Sequence, residues 1–268
     1  MTVQGKMRRN PAMASFLISL PQSSRRPAAL RALADGGITA EVIDADDGSS
    51  MAARNGYAAW RARLLCGRTL SPGEVGCFIS HRIAAARFLA TPAKFGLVLE
   101  DDAVPVGSAK DGLAALARAL PPLDWDLANL GAAPGFLHRP VAPLPDSVQP
   151  EAPRLLHAHY FPLGSHALLW SRDGARRFLE ASTTVSYPLD HFLRRWACRS
   201  GRGLALSEPL FIPRGVPSEI DSDSFRPQLA SSPLYRMRRA LRRNGNKAWA
   251  AYRAHLNTSR DRKLDHFR

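Results

Sequence analysis

Cysteine is scarce in this chain: Cys66, Cys77 and Cys198 are the only three in 268 residues. An odd, scattered set cannot pair completely and has no Cys-x-x-Cys spacing, so a disulfide scaffold and a zinc ribbon are both excluded, and a reducing compartment fits. Long apolar runs are also missing. No stretch approaches the roughly 20 apolar residues that span a bilayer, so a soluble or peripheral protein is expected. The run Ala14 to Leu20, preceded by Lys6, Arg8 and Arg9, has the outline of a secretion signal. It is short and is followed by Pro21 and two arginines, and it reads as the first buried strand. Aromatic residues are only 8% of the chain, which bears on the net charge of +14. A nucleic-acid binder would interleave aromatic and basic residues on one face. Here 11 Lys or Arg against 2 Asp lie between Ser231 and Arg268, so +9 of the charge belongs to a carboxyl-terminal tail. No nucleic-acid partner is expected.

What is present is a core and an alternation of elements. A hydrophobic content of 45% is ample to bury a core without staples. The apolar run Ser15 to Leu20 reads as a strand, and Leu30, Leu33 and Ala34 trace a helical face that stops at Gly36-Gly37. Ile38 to Ala45 reads as a second strand ending in an acidic turn, Asp44 to Gly48. A βαβ opening predicts an α/β fold with a mainly parallel sheet covered by helices. Ser71-Pro72-Gly73-Glu74 is a full capping box with proline at the first helical position, so a helix starts there and runs to about Leu89. Phe95 to Leu99 is a continuous strand-length apolar run that delivers Glu100, Asp101 and Asp102 at its carboxyl end. Asp111 to Leu120, Arg172 to Ala181 and Leu189 to Arg199 read as helices; Trp125 to Leu130, Ser165 to Trp170 and Leu204 to Leu206 read as strands. Ala132 to Pro153 holds six prolines and reads as a long loop.

The acidic triplet is the first chemical signal. Adjacent carboxylates repel by roughly 4 kcal/mol per pair at about 4 Å and an effective dielectric near 20, so three of them after a buried strand call for a cation. A hard divalent ion, Mn²⁺ or Mg²⁺, held by one or two carboxylates and completed by phosphate oxygens and water, answers that need. Ligands of open α/β sheets sit beyond the carboxyl ends of strands, where these acids lie. A solvated acidic turn is the plainer alternative.

Several separated segments together carry a resemblance. They are Ile18-Ser19-Leu20 with Arg26, the stretch Leu70 to His81 (LSPGEVGCFISH), Val98 to Ala103, Trp125-Asp126-Leu127 with Leu130-Gly131, Gly174-Ala175, and Pro188-Leu189-Asp190. In this order they resemble glycosyltransferase family 25, which includes bacterial lipooligosaccharide galactosyltransferases and animal collagen galactosyltransferases. The resemblance implies a GT-A-like nucleotide-diphospho-sugar transferase fold, a divalent metal, and inversion at the anomeric carbon. It also implies a UDP-sugar donor, most simply UDP-galactose, and a glycan or glycolipid acceptor such as lipopolysaccharide. Ser19 stands where asparagine is common in the family, and Leu168 where an aromatic is frequent, which bears on donor identity.

Roles follow from the same likeness. Asp102 and Glu100 are expected at the metal; Glu100 and Asp101, with Arg26, Ser80 and His81, are expected at the donor; His166 is expected at the acceptor. Asp190 is the candidate general base, since an aspartate is ionised at neutral pH, and its other reading is a helix-start carboxylate favoured by the macrodipole. Glu74 is a second catalytic candidate that the capping box alone also explains. His81 reads equally as a half-buried core histidine, and Arg26 as a surface arginine. His157 and His159 have no assigned role.

The expected organisation is a disordered amino terminus (1–13), a transferase domain over 14–230, and a basic tail over 231–268. The domain divides into a donor-binding half, about 14–131, and an acceptor half, about 132–230. The tail shows two short amphipathic pieces, Leu234, Met237 and Leu241, then Trp249, Tyr252 and Leu256, separated by the breaker Asn244-Gly245-Asn246. Flanking arginines suit an anionic membrane surface, at about 1 kcal/mol each, so the expected location is the cytoplasm, peripheral on the inner face of the membrane.

Overall fold

Strand β1 (Met13–Ser19) alternates its side chains between two buried faces, and every later element arranges itself around that alternation. In a computed structural model, which describes residues 12–143, 153–215 and 233–265, β1 leads through helix α1 (Arg26–Asp35) to the parallel strand β2 (Glu41–Asp44). Short helices α2 (Met51–Gly56) and α3 (Ala59–Cys66), which periodicity does not announce, precede the long helix α4 (Pro72–Leu89). The capping box is formed as expected: Ser71 Oγ accepts from the Glu74 N–H, and the Glu74 carboxylate accepts from the Ser71 N–H. Helix α4 returns the chain to β3 (Phe95–Glu100), parallel to β1 on its other side.

The second half of the sheet departs from expectation. After β4 (Ala103–Pro105), α5 (Ala109–Ala119) and β5 (Leu127–Asn129), the range expected to be a loop contains a strand, β6 (His138–Pro143), paired with β7 (Arg154–Ala158). Two prolines are tolerated there because β6 is the edge of the sheet and carries an irregularity between Pro140 and Ala142. The remainder of that loop, 144–152, lies outside the described residues, as does the amino-terminal stretch 1–11. Strand β8 (Ala167–Ser171) is followed by α6 (Arg172–Ala181), α7 (Leu189–Ser200), β9 (Gly203–Leu206) and β10 (Phe211–Pro213).

The result is a mixed α/β fold with an eight-stranded sheet of order β2-β1-β3-β8-β5-β9-β7-β6, and not the mainly parallel sheet the opening βαβ unit suggests. Strand β8 runs antiparallel to both β3 and β5. It follows β7 after the short segment 159–166, with no helix between the two strands. Phe16, Val98, Leu168 and Trp170 on one face pack with Phe78, Phe88, Phe178 and Leu193 of α4, α6 and α7. Leu17, Leu97, Leu99 and Leu169 on the other pack with Leu33, Leu113 and Leu116 of α1 and α5. Burying one such large apolar side chain stabilises by about 1.5–3 kcal/mol, so both layers are strongly held.

The tail also differs from expectation. One helix, α8 (Pro233–Asp265), runs straight through 244–246 where a break was expected. Asn246 and Ala250 are buried on it, Arg242 donates to the Leu65 carbonyl (3.1 Å), and Arg253 donates to the Arg199 carbonyl (2.8 Å). Those tertiary contacts outweigh the roughly 1 kcal/mol a mid-helix glycine costs. No helix among the described residues is long and apolar enough to cross a membrane.

Candidate active site

The carboxyl ends of β1, β2 and β3 surround a cavity of about 250 Å³, closed on the remaining side by the first turns of α4. This is the crevice position at which open α/β sheets hold ligands. Its geometry depends on Gly76: a methyl group there would lie 2.1 Å from the Asp46 carbonyl oxygen, so only glycine lets the loop after β2 rest on α4. That contact places the Ser80 hydroxyl, which donates to the Gly76 carbonyl (2.7 Å), where it accepts from the Asp46 N–H (2.8 Å).

Two of the three acids enter this cavity, and by different routes. Glu100 ends β3, and its Oε1 meets His81 Nε2 at 3.1 Å and accepts from Ser165 Oγ at 2.6 Å. Burial pushes the Glu100 pKa up, but the His81 and Ser165 hydrogen bonds and the nearby imidazoles outweigh it and bring the group below its ordinary value. Asp101 is buried and fully engaged: Oδ2 accepts from Ser19 Oγ (2.7 Å) and Ser23 Oγ (3.0 Å), and Oδ1 pairs with Arg25 Nη2 (2.9 Å).

Asp102 is not part of this lining and is the unsatisfied member of the triplet. Its Oδ1 is buried with no hydrogen-bond partner among the described residues. Burial, and then the charge of Glu100, raises its pKa. A buried carboxylate oxygen without a donor is a costly arrangement that a cation relieves. His166 lies near enough for its charge to act on Asp102, and its own Nε2 is likewise buried without a partner. The ring fits because position 131 is glycine, where a methyl group would come within 2.1 Å of that nitrogen. The donor set of Asp102 and Glu100 therefore suits a hard divalent ion. Cys77, His81 and Glu100 also bring ligand atoms within 4.8 Å of one another. There, burial and then the charges of Glu100 and Asp190 hold the Cys77 thiol well above its usual range, which disfavours the thiolate a softer metal would need.

The other expected site residues sort by position. Ser80 and His81 line the cavity, whereas Arg26 does not: its Nη2 donates to the Ser19 carbonyl (2.7 Å) and to Asp44 Oδ1 (2.6 Å). Arg25, one residue earlier, takes the cavity position. Glu74 is outside the lining; Arg68 grips its carboxylate with both terminal nitrogens while Ser71 N–H bonds the same group. Asp190 stands in the first turn of α7, its Oδ1 accepting from the His191 N–H (2.6 Å), and its charge reaches the cavity-lining Cys77. His157 and His159 stack at 5.7 Å away from the cavity lining, and burial lowers both, His159 to about 4, so they are neutral at pH 7.

Arg25, Asp46 and Asp47 were not singled out as site residues in the sequence. The signal was there for the two acids, since the turn Asp44 to Gly48 ends β2 as the triplet ends β3. For the arginine it was not, because Arg25 and Arg26 are adjacent and only the entry angle of α1 separates their directions.

Fold and cavity define a class: a mixed α/β protein with an acidic crevice at the ends of parallel strands. Residues 12–124 match the family model described as "Glycosyltransferase family 25 (LPS biosynthesis protein)". It is similar to procollagen galactosyltransferase 2 of Mus musculus, 29% identical over 191 residues, and to procollagen galactosyltransferase 1 of Danio rerio, 30% identical over 190. Each alignment covers 66% of this chain, and the chain spans only 29% and 30% of the length of these curated relatives. A solved glycosyltransferase involved in the glycosylation of the major capsid of PBCV-1 aligns over 78% of this chain and 95% of its own, at 12% identity and a TM-score of 0.42.

Proposed function

We propose that the chain is an inverting, metal-dependent glycosyltransferase of GT-A type that moves a hexose, galactose from UDP-galactose, onto a sugar of lipopolysaccharide or another surface glycan. The observation that carries this reading is the buried Asp102 Oδ1, without a partner among the described residues, which follows Glu100 at the carboxyl end of β3, next to a cavity. The family-model match over residues 12–124 and the names of the relatives support the transfer and the choice of galactose.

In this reading Asp102 and Glu100 hold a divalent cation, Mn²⁺ or Mg²⁺. When bound, such an ion stabilises the negative charge that grows on a departing diphosphate. The chain's own groups do the rest. Arg25 faces the diphosphate as a fixed guanidinium, held by Asp101, while Ser80, His81 and Glu100 shape the donor cavity. His166 binds the acceptor, and Asp190 takes the proton from the acceptor hydroxyl as its oxygen attacks the anomeric carbon. The bond from that carbon to the diphosphate oxygen breaks, and UDP leaves with the electron pair. Glu74 contributes by fixing the start of α4, and Arg26 by tying β1 to β2.

In this reading helix α8 docks the enzyme on the cytoplasmic face of the membrane. Met237, Leu241, Trp249, Tyr252 and Leu256 are all exposed on it and fall within one third of its circumference, beside a run of arginines. The deciding experiment is a screen of nucleotide sugars for UDP release with and without Mn²⁺. Release from UDP-galactose that requires Mn²⁺ is expected; no release from any nucleotide sugar under either condition refutes the transferase reading.

A further inference from the structure

A second cavity, of about 450 Å³, is formed by α3, the segment before α7, and one face of α7. It shares no lining residue with the first. Arg61 from α3 and Arg195 and Arg199 from α7 line it, and no carboxylate does. Among the described residues none of these three guanidiniums forms an ion pair. Arg195 instead lies 5.7 Å over the Tyr187 ring, and Arg199 5.8 Å over Trp249 of α8.

That concentration of charge is unfavourable in the absence of a ligand. Arg195 and Arg199 are four residues apart on one helix, a spacing at which like charges destabilise by a few tenths of a kcal/mol. Burial and then the Arg195 charge lower the Arg199 pKa. Burial raises the Tyr187 hydroxyl, and Arg195, Arg242 and Arg199 all pull it the other way, so this one phenol sits among several cations. Thr183, Thr184 and Ser186 place further hydroxyls on the same wall, and Trp196 a broad aromatic face. Guanidinium forks match the oxygens of a phosphate, which carries about −1.5 to −2 charges at pH 7 when it is a monoester. The volume falls within the ~300–1,000 Å³ range of small-ligand pockets, leaving room for a sugar ring against the aromatic wall.

We propose that this cavity is a second ligand site, separate from the donor crevice, that takes a phosphate-bearing group, either a soluble sugar phosphate or the phosphorylated headgroup of a lipid. The site does not depend on the transferase reading, and it is testable without turnover. Glucose 6-phosphate is titrated calorimetrically into the full chain, and vesicles of phosphatidylcholine with and without phosphatidic acid are floated with it. The variant R195Q/R199Q is compared with R31Q/R87Q, which removes the same charge from exposed positions on α1 and α4, with thermal melting as the control for folding. The expected result is a loss of about tenfold or more in affinity for R195Q/R199Q only, since each charged hydrogen bond contributes about 1.5–3 kcal/mol. A loss confined to glucose 6-phosphate assigns a soluble ligand, and one confined to phosphatidic acid vesicles assigns a headgroup. Equal binding by both variants, or no binding of either probe by the unmodified chain, overturns the proposal. Should R195Q/R199Q fail to fold, R61Q on α3 carries the same test, with a loss of about threefold or more expected.

Discussion

His81 Nε2 lies 3.1 Å from Glu100 Oε1, which joins the third turn of α4 to the last residue of β3 in the lining of the cavity. The imidazole is almost wholly buried, so the carboxylate it holds has a fixed direction as well as a depressed pKa. The pairing explains how a strand end and a helix that are separate in the chain act as one surface.

Removing His81 should release that carboxylate. In His81→Ala the burial of Glu100 is left opposed mainly by Ser165, so its pKa rises. The acid limb of the UDP-release profile then moves to higher pH, and the Mn²⁺ requirement shifts by about 10–100-fold in concentration, as for other groups that orient metal ligands. An unchanged pH profile would show that the pair has no bearing on the reaction.

Asp102→Asn is expected to trade function against stability. The raised pKa means that folding disfavours the ionised form, a penalty present above the raised value and relieved as pH falls through it. The amide removes that penalty, so the metal-free variant should be more stable by about 0.5–2 kcal/mol near pH 7, with little gain at pH 4. Melting in the presence of EDTA measures this, and Mn²⁺ should no longer raise the melting temperature. In the unmodified chain Mn²⁺ affinity should fall as pH drops toward the ordinary aspartate range, because protons compete for the same oxygen.

Arg25→Ala and Arg26→Ala separate two neighbours of identical chemistry. Loss of Arg25 leaves the buried Asp101 without its cation, which costs about 3–5 kcal/mol when such a pair is broken, and weakens UDP binding. Loss of Arg26 removes bonds to the exposed Asp44 and to the Ser19 carbonyl and should leave UDP affinity within about twofold. Calorimetric titration of UDP in both variants decides, and equal losses would contradict the assignment of the cavity position to Arg25.

Asp190→Asn tests the base. A general base contributes about 10²–10⁴ in rate, so kcat should fall by that factor while UDP affinity and melting temperature stay close to those of the unmodified chain. A purely structural role at the start of α7 predicts the reverse, a stability loss of about 1 kcal/mol with kcat retained.

The outward stripe of α8 is tested by Trp249→Glu with Tyr252→Glu. Both rings are exposed, so folding is spared, and flotation with anionic vesicles should fall sharply. Retained flotation would remove the membrane from the account of this helix.

Sequence alone was enough for whatever depends on short-range chemistry. The capping box at Ser71, the βαβ opening and the acids at the end of β3 were legible because caps and period-two burial involve residues a few positions apart. Tertiary structure decided whatever depends on direction or distant partners. It turned β8 against β3, carried α8 through its glycine by burying Asn246 and Ala250, and sent Arg25 rather than Arg26 into the crevice. It also split the triplet, giving Asp101 to two serines and an arginine and leaving Asp102 open. Composition and spacing say that three carboxylates stand together, but which of them lacks a partner depends on groups brought in from elsewhere in the chain.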